Sequence, residues 1–124
     1  MKEEFIKLLK ETNREGIDKL LEFLEKSDFY TAPASTRFHG CEEGGLLKHS
    51  LKVYEILKYK IDNNVLNIKV PEESIRIIAL LHDICKTNFY AVDYRNAKNA
   101  LGVWKKYLTI KLKIQYLMGM VKNL

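Results

Sequence analysis

Two histidines and one aspartate hold most of the chemistry in this sequence. His49 lies in Glu43-Gly44-Gly45-Leu46-Leu47-Lys48-His49-Ser50, one turn into a helical pattern, and Asp83 follows directly on His82 in His82-Asp83-Ile84-Cys85-Lys86. A single inward-facing histidine on an apolar stripe is more often a hydrogen-bonded core residue than a ligand. A lone His-Asp pair is weak too, since the chain has three histidines and short matches arise by chance. The set is worth more than its members. An imidazole from one helix, with an imidazole and a carboxylate from another, is a mixed nitrogen and oxygen donor set suited to one divalent transition metal ion. Consecutive helical residues diverge by about 100°, so His82 and Asp83 share an ion only if it sits beside the pair. Lys86 projects from nearly the same face as Asp83 and is placed to neutralise a phosphate.

The elements that position these residues read first as helices. Phe5, Ile6, Leu8 and Leu9, then Ile17, Leu20, Leu21, Phe23 and Leu24, recur at amphipathic helical spacing. Thr12-Asn13 and Gly16 between them predict two short helices rather than one long one. From Asp28 to Gly45 the pattern breaks into Pro, Gly, Ser, Thr and Ala, a loop with little reason for its length unless it lines something. A helix is expected from about Leu46 to about Ile61, with Leu46, Ser50, Val53, Leu57 and His49 in one apolar arc. Pro71 sits where a first-turn proline is tolerated, with Glu72 and Glu73 behind it. Ile75, Ile78, Ala79 and His82 are the expected buried stripe of that helix, so both histidines are expected to point inward.

The period then changes. Tyr90, Val92 and Tyr94 alternate with Ala91, Asp93 and Arg95, and Val103, Lys105 and Tyr107 with Trp104 and Lys106, across a turn-rich Asn96–Gly102. This predicts a β-hairpin. Leu108, Ile110, Leu112, Ile114 and Tyr116 alternate with Thr109, Lys111, Lys113 and Gln115, a third strand pattern. A strand left at the edge invites pairing with a second copy, so a homodimer through this sheet is an expected partner.

Composition narrows the classes. The chain has 124 residues, 47% hydrophobic and 30% charged, the size and balance of one globular domain and not of a disordered or disulfide-stapled chain. Ile77-Ile78-Ala79-Leu80-Leu81 is the longest apolar run, far short of the roughly 20 residues a membrane span needs. No signal-type block opens the chain, and Cys41 and Cys85 fit a reducing compartment, so a cytoplasmic protein without a membrane partner is expected. Both cysteines read as buried small residues, because nothing marks a base for either. Net charge is +5, of which residues 108–124 supply three lysines and no acid. Read this way, the basic character belongs to the tail and does not by itself argue for a nucleic-acid partner.

With the Gly-Gly-Leu-Leu-x-His-Ser helix start and the His-Asp-x-x-Lys pair together, residues 28–107 resemble the HD-domain superfamily of metal-dependent phosphohydrolases, in its bacterial and phage-associated branch. The resemblance implies a mainly α fold, an HD-like helical bundle within a domain of residues 1–107 that ends in the antiparallel hairpin at about 88–107, with residues 108–124 an atypical basic tail that would extend it to a three-stranded sheet. It implies His49, His82 and Asp83 as metal ligands, Asp83 and Lys86 as catalytic residues, and Arg37, His39 and Lys86 as residues facing the substrate. It also implies hydrolysis of a nucleotide or other phosphate-containing small molecule by water activated on the metal, with no serine or cysteine nucleophile.

The sequence departs from that pattern in one place. The family's last ligand, an aspartate beyond the hairpin, has no counterpart: Asp93 lies inside the hairpin and no acid follows it. Activity is therefore weighed against a non-catalytic, truncated module that binds a ligand or partner, and against a small basic nucleic-acid binder. Residues 108–124 are further expected to be read in a shifted frame. Taking the third base of each codon with the first two of the next, Met118-Gly119-Met120-Val121 must encode Gly-x-Gly, and similar proteins carry Gly-His-Gly-Glu-Lys-Ser at this point.

Overall fold

The computed structural model describes residues 1–35 and 42–112. Within them the protein is mainly helical, with four α-helices and one two-stranded antiparallel sheet. The first helix, α1 (Lys2–Lys10), carries Glu3 and Glu4 in its first turn and Lys7 and Lys10 in its last, complementing the helix dipole at both ends. It ends where the Thr12 hydroxyl donates to the Leu9 carbonyl at 2.6 Å and Asn13 turns to φ 54°. After that break, α2 (Ile17–Lys26) runs as the expected second short helix.

The next helix, α3 (Gly45–Asp62), is entered through Gly44 at φ 77°. A Cβ there would meet nothing closer than 3.9 Å, so it is the left-handed backbone, not space, that favours glycine. The fourth helix, α4 (Glu72–Leu81), has Pro71 at its N-cap, one position before the expected first turn, and Glu72 and Glu73 follow at the positive end. Of the helix pairs, α3 and α4 pack most extensively. Their distal ends are tied by Glu72, which accepts from Tyr54 Oη at 2.6 Å, Lys58 Nζ at 3.1 Å and Arg76 Nε at 3.1 Å. Arg76 also donates to the Leu8 carbonyl and to Glu11, which joins α1 to the pair.

The core lies between these helices, where Phe5, Leu9, Leu24, Phe29, Leu46 and Leu80 are fully buried. Phe5 and Phe29 pack with ring centroids 5.0 Å apart and planes tilted by 41°, and Tyr30 meets Phe29 edge-on. One expected core residue is not there: Ile78 is 59% exposed. Ile75, Ala79 and Leu80 are the residues that α4 buries. At about 100° per residue, Ile78 falls well outside the arc that they define.

A short 3-10 turn over Ile84–Lys86 leads to β1 (Tyr90–Lys98), which pairs with β2 (Trp104–Leu112) from Tyr90↔Leu112 to Lys98↔Trp104. The turn is tighter than expected. Asn99 Oδ1 accepts from the Leu101 and Val103 amides, and the Asn99 amide donates to the Val103 carbonyl, so Asn96 to Lys98 stay in the strand. The expected third strand is corrected as well. Leu108 to Leu112 are the second half of β2, because their alternation is in phase with Trp104 to Tyr107 and pairs with the same strand. The rest of that expected strand, and the Met118–Val121 stretch of the frame reading, lie outside the described residues.

Candidate metal centre

His49 stands in the second turn of α3, on a helix start stitched to the preceding loop. The Gly44 amide donates to the Thr31 carbonyl and the Leu46 amide to that of Ala32, both at 2.9 Å. The loop is in turn fastened to the segment after α4. Asp28 Oδ1 accepts from the Asn88 amide at 2.6 Å, and the Asp28 amide donates back to Asn88 Oδ1. Two more bonds converge on one carbonyl: Lys86 Nζ donates to Ala34 O at 2.8 Å and Tyr90 Oη to the same atom at 3.2 Å. The described part of the loop thus borders the site.

His82 and Asp83 meet because the helix ends between them. His82 is the C-cap of α4 with helical angles, whereas Asp83 has φ −109° and ψ 21°, in the bridge region. The change of backbone angles departs from helical geometry at Asp83, and the His82 and Asp83 side chains meet at 3.3 Å. His49 Nε2 lies 3.2 Å from His82 Nε2, and each of these nitrogens lies 3.3 Å from Asp83 Oδ2. The three donor atoms form a nearly equilateral triangle. Donors held at about 2.1 Å by one ion stand roughly 3.0–3.4 Å apart in octahedral or tetrahedral geometry, so the group can hold a metal ion.

The donor chemistry agrees with the spacing. His82 Nδ1 donates to the Ala79 carbonyl at 2.7 Å. A carbonyl only accepts, so Nδ1 carries a proton, and the tautomer this selects has its lone pair at Nε2, toward the other two donors. Lys86 Nζ is 3.4 Å from Asp83 Oδ2 and balances that carboxylate. A cleft of about 670 Å³ reaches the group through His49 and Lys86, with Ala34 and Ser35 of the loop on its wall. The cleft lysines Lys48 and Lys52 are paired with Glu42 and Glu55.

The structure brings His49, His82, Asp83 and Lys86 together. It corrects their expected burial. The side chains of His49 and His82 are 42% and 31% exposed, at the rim of the α3–α4 seam and not within the core. Cys85, expected to be buried, is exposed in the 3-10 turn, where its neighbour Ile84 is the residue packed against the core. Asp93 lies within β1, where its backbone pairs with Thr109 of β2. Arg37, His39 and Cys41 lie outside the described residues. Sequence reasoning missed the carbonyls of Ala79 and Ala34 and the hydroxyl of Tyr90. Only the first had a signal, since Ala79 is one turn before His82 and within reach of its ring.

Compared with family models, with curated proteins and with solved structures, the chain matches none significantly.

Proposed function

We propose that the protein binds one divalent transition metal ion on His49, His82 and Asp83 and hydrolyses a phosphate ester, of a nucleotide or a phosphodiester, in the manner of HD-type phosphohydrolases. The observation that carries this reading is the triangle of two imidazole nitrogens and one carboxylate oxygen, with edges of 3.2 and 3.3 Å, beside an open cleft. A bound divalent ion supplies Lewis acidity toward a phosphoryl oxygen and toward water. The protein's part is to hold the donors and receive the substrate. The Ala79 carbonyl fixes the His82 tautomer, and the Ala34 carbonyl holds the Lys86 ammonium at the cleft. There Lys86 offers positive charge where a phosphate gains negative charge.

A second reading rests on the donor count. Among the described residues the group has three members, and a three-donor site leaves the ion more open to water and less tightly bound. This favours a module that binds metal and ligand without turnover. Activity toward a phosphomonoester and a phosphodiester, assayed with manganese, nickel, iron, cobalt and zinc in turn, separates the two. The phosphohydrolase reading expects turnover with at least one ion, abolished in His82→Ala and reduced about 100-fold in Lys86→Gln. Metal bound without turnover in any of these conditions would leave the binding module.

A further inference from the structure

The charges of this chain are sorted along its length. No acid follows Asp93, whereas seven lysines and arginines do, and residues 1–93 hold 14 basic and 16 acidic side chains. Sequence alone sets the basic tail apart at residue 108. The register removes that boundary, since Lys111 lies on the same strand as Lys105 and Lys106, opposite the strand that carries Arg95 and Lys98. Five cations therefore share one ribbon of nine-residue strands, about 30 Å long. Among the described residues neither strand packs closely along a helix.

At the far end of the ribbon an exposed indole lies beside lysines. Trp104 is 65% exposed, and its cross-strand partner Lys98 holds Nζ 5.4 Å from the ring centroid. Lys106 follows on the same face of β2 and Lys105 on the opposite one, both exposed, and Val103 before the indole is 51% exposed. A large aromatic face in water normally finds cover. An indole among ammonium groups fits a ligand that joins a π-face to a negative backbone, the pairing that single-stranded nucleic acids present.

We infer that the β1–β2 ribbon is a binding surface for single-stranded nucleic acid that crosses the edge of β2, with phosphates on Lys98 and Lys106 on one face and on Lys105 at the other, and a base stacked on Trp104. An acidic peptide would satisfy the lysines and leave the indole without a partner. A second copy offers only a nearly balanced body to a strongly positive ribbon. In a duplex the bases are already stacked on each other, so the indole has no face to meet. The inference stands apart from the metal centre and does not require it.

The test is fluorescence anisotropy of a labelled mixed-sequence 20-mer DNA strand titrated with the full chain, in chelator, from 50 to 200 mM salt. Three phosphate contacts to a single strand predict a log–log salt slope of about −2, hence a roughly 20-fold loss of affinity across that range. Lys98→Gln/Lys105→Gln/Lys106→Gln flattens the slope, Trp104→Ala weakens binding about fivefold or more, and Trp104→Phe restores most of it. His82→Ala binds like the wild type. Circular dichroism checks that the variants fold. Absence of binding at 50 mM salt, or wild-type binding by the triple-glutamine variant, overturns the inference. So does equal weakening by Trp104→Ala and Trp104→Phe. Binding of heparin as tight as that of the DNA strand, with no effect of Trp104→Ala, would show a general polyanion surface and would also overturn it.

Discussion

Beside His49 on α3 stands Ser50, which is fully buried and whose hydroxyl has no hydrogen-bond partner among the described residues. A buried polar group without a partner costs stability that an apolar replacement recovers. Ser50→Ala is therefore expected to raise unfolding free energy by about 1 kcal/mol, read from urea denaturation, with metal uptake unchanged. A loss of stability would mean that the hydroxyl is satisfied. At this scale the sequence was informative about identity and less so about environment. His49, His82, Asp83 and Lys86 were legible as a group because a nitrogen-oxygen donor set beside a cation has few other uses. Their exposure was not legible, since periodicity marks an arc of a helix and not how far the neighbouring helix covers it. The proton on His82 Nδ1 was not legible either, because it depends on a carbonyl, and carbonyls have no letter in a sequence.

Between elements, one cluster carries the electrostatics. Arg76, with a side chain only 17% exposed, links Glu72, Glu11 and the Leu8 carbonyl across α4 and α1. Arg76→Ala leaves Glu72 partly buried with one donor fewer, and is expected to cost about 2–3 kcal/mol. Lys2→Ala, which breaks the exposed pair with Glu25, is expected to cost less than about 1 kcal/mol. Equal effects in thermal unfolding would contradict this ranking. The same cluster sets a pH window. Burial works against the Glu72 charge, but the bonds from Tyr54, Lys58 and Arg76 outweigh it and hold the carboxyl below its usual range. That contribution is complete above the ordinary carboxylate value and is lost as pH falls through the lowered one. Tyr54 is raised, by burial first and then by Glu72, so its contribution is complete below the ordinary phenol value and lost as pH rises through the raised one. The unfolding midpoint should be flat between these limits and fall outside them, with a shallower acid limb in Glu72→Gln. An unchanged acid limb in that variant would place the acid sensitivity elsewhere. Helix existence was legible because apolar spacing and Gly or Pro breaks agree. Burial of Ile78 was misjudged because two residues three apart suit one stripe equally well until the packing partner fixes its centre. The strand count was misjudged because an alternating run shows period but not where one strand stops and a second starts.

On the scale of the molecule, a helical body and a β-ribbon meet at the loop that frames the donor group. The Ala34 carbonyl receives both Lys86, from the turn after α4, and Tyr90, the first residue of β1. Donors and ribbon are thus anchored on the same wall. The helical class and the hairpin were legible in the sequence from their periods, whereas the convergence of two separate segments on one carbonyl is a product of tertiary packing. The central claim is that His49, His82 and Asp83 act as one ligand set. Its most direct test is elemental analysis of purified wild-type protein and of His49→Ala, His82→Ala and Asp83→Asn, after identical loading with divalent ions and removal of the excess. The account predicts about one ion per chain in the wild type and a large loss in each variant, with circular dichroism spectra unchanged. Equal metal content in the wild type and the three folded variants would contradict it.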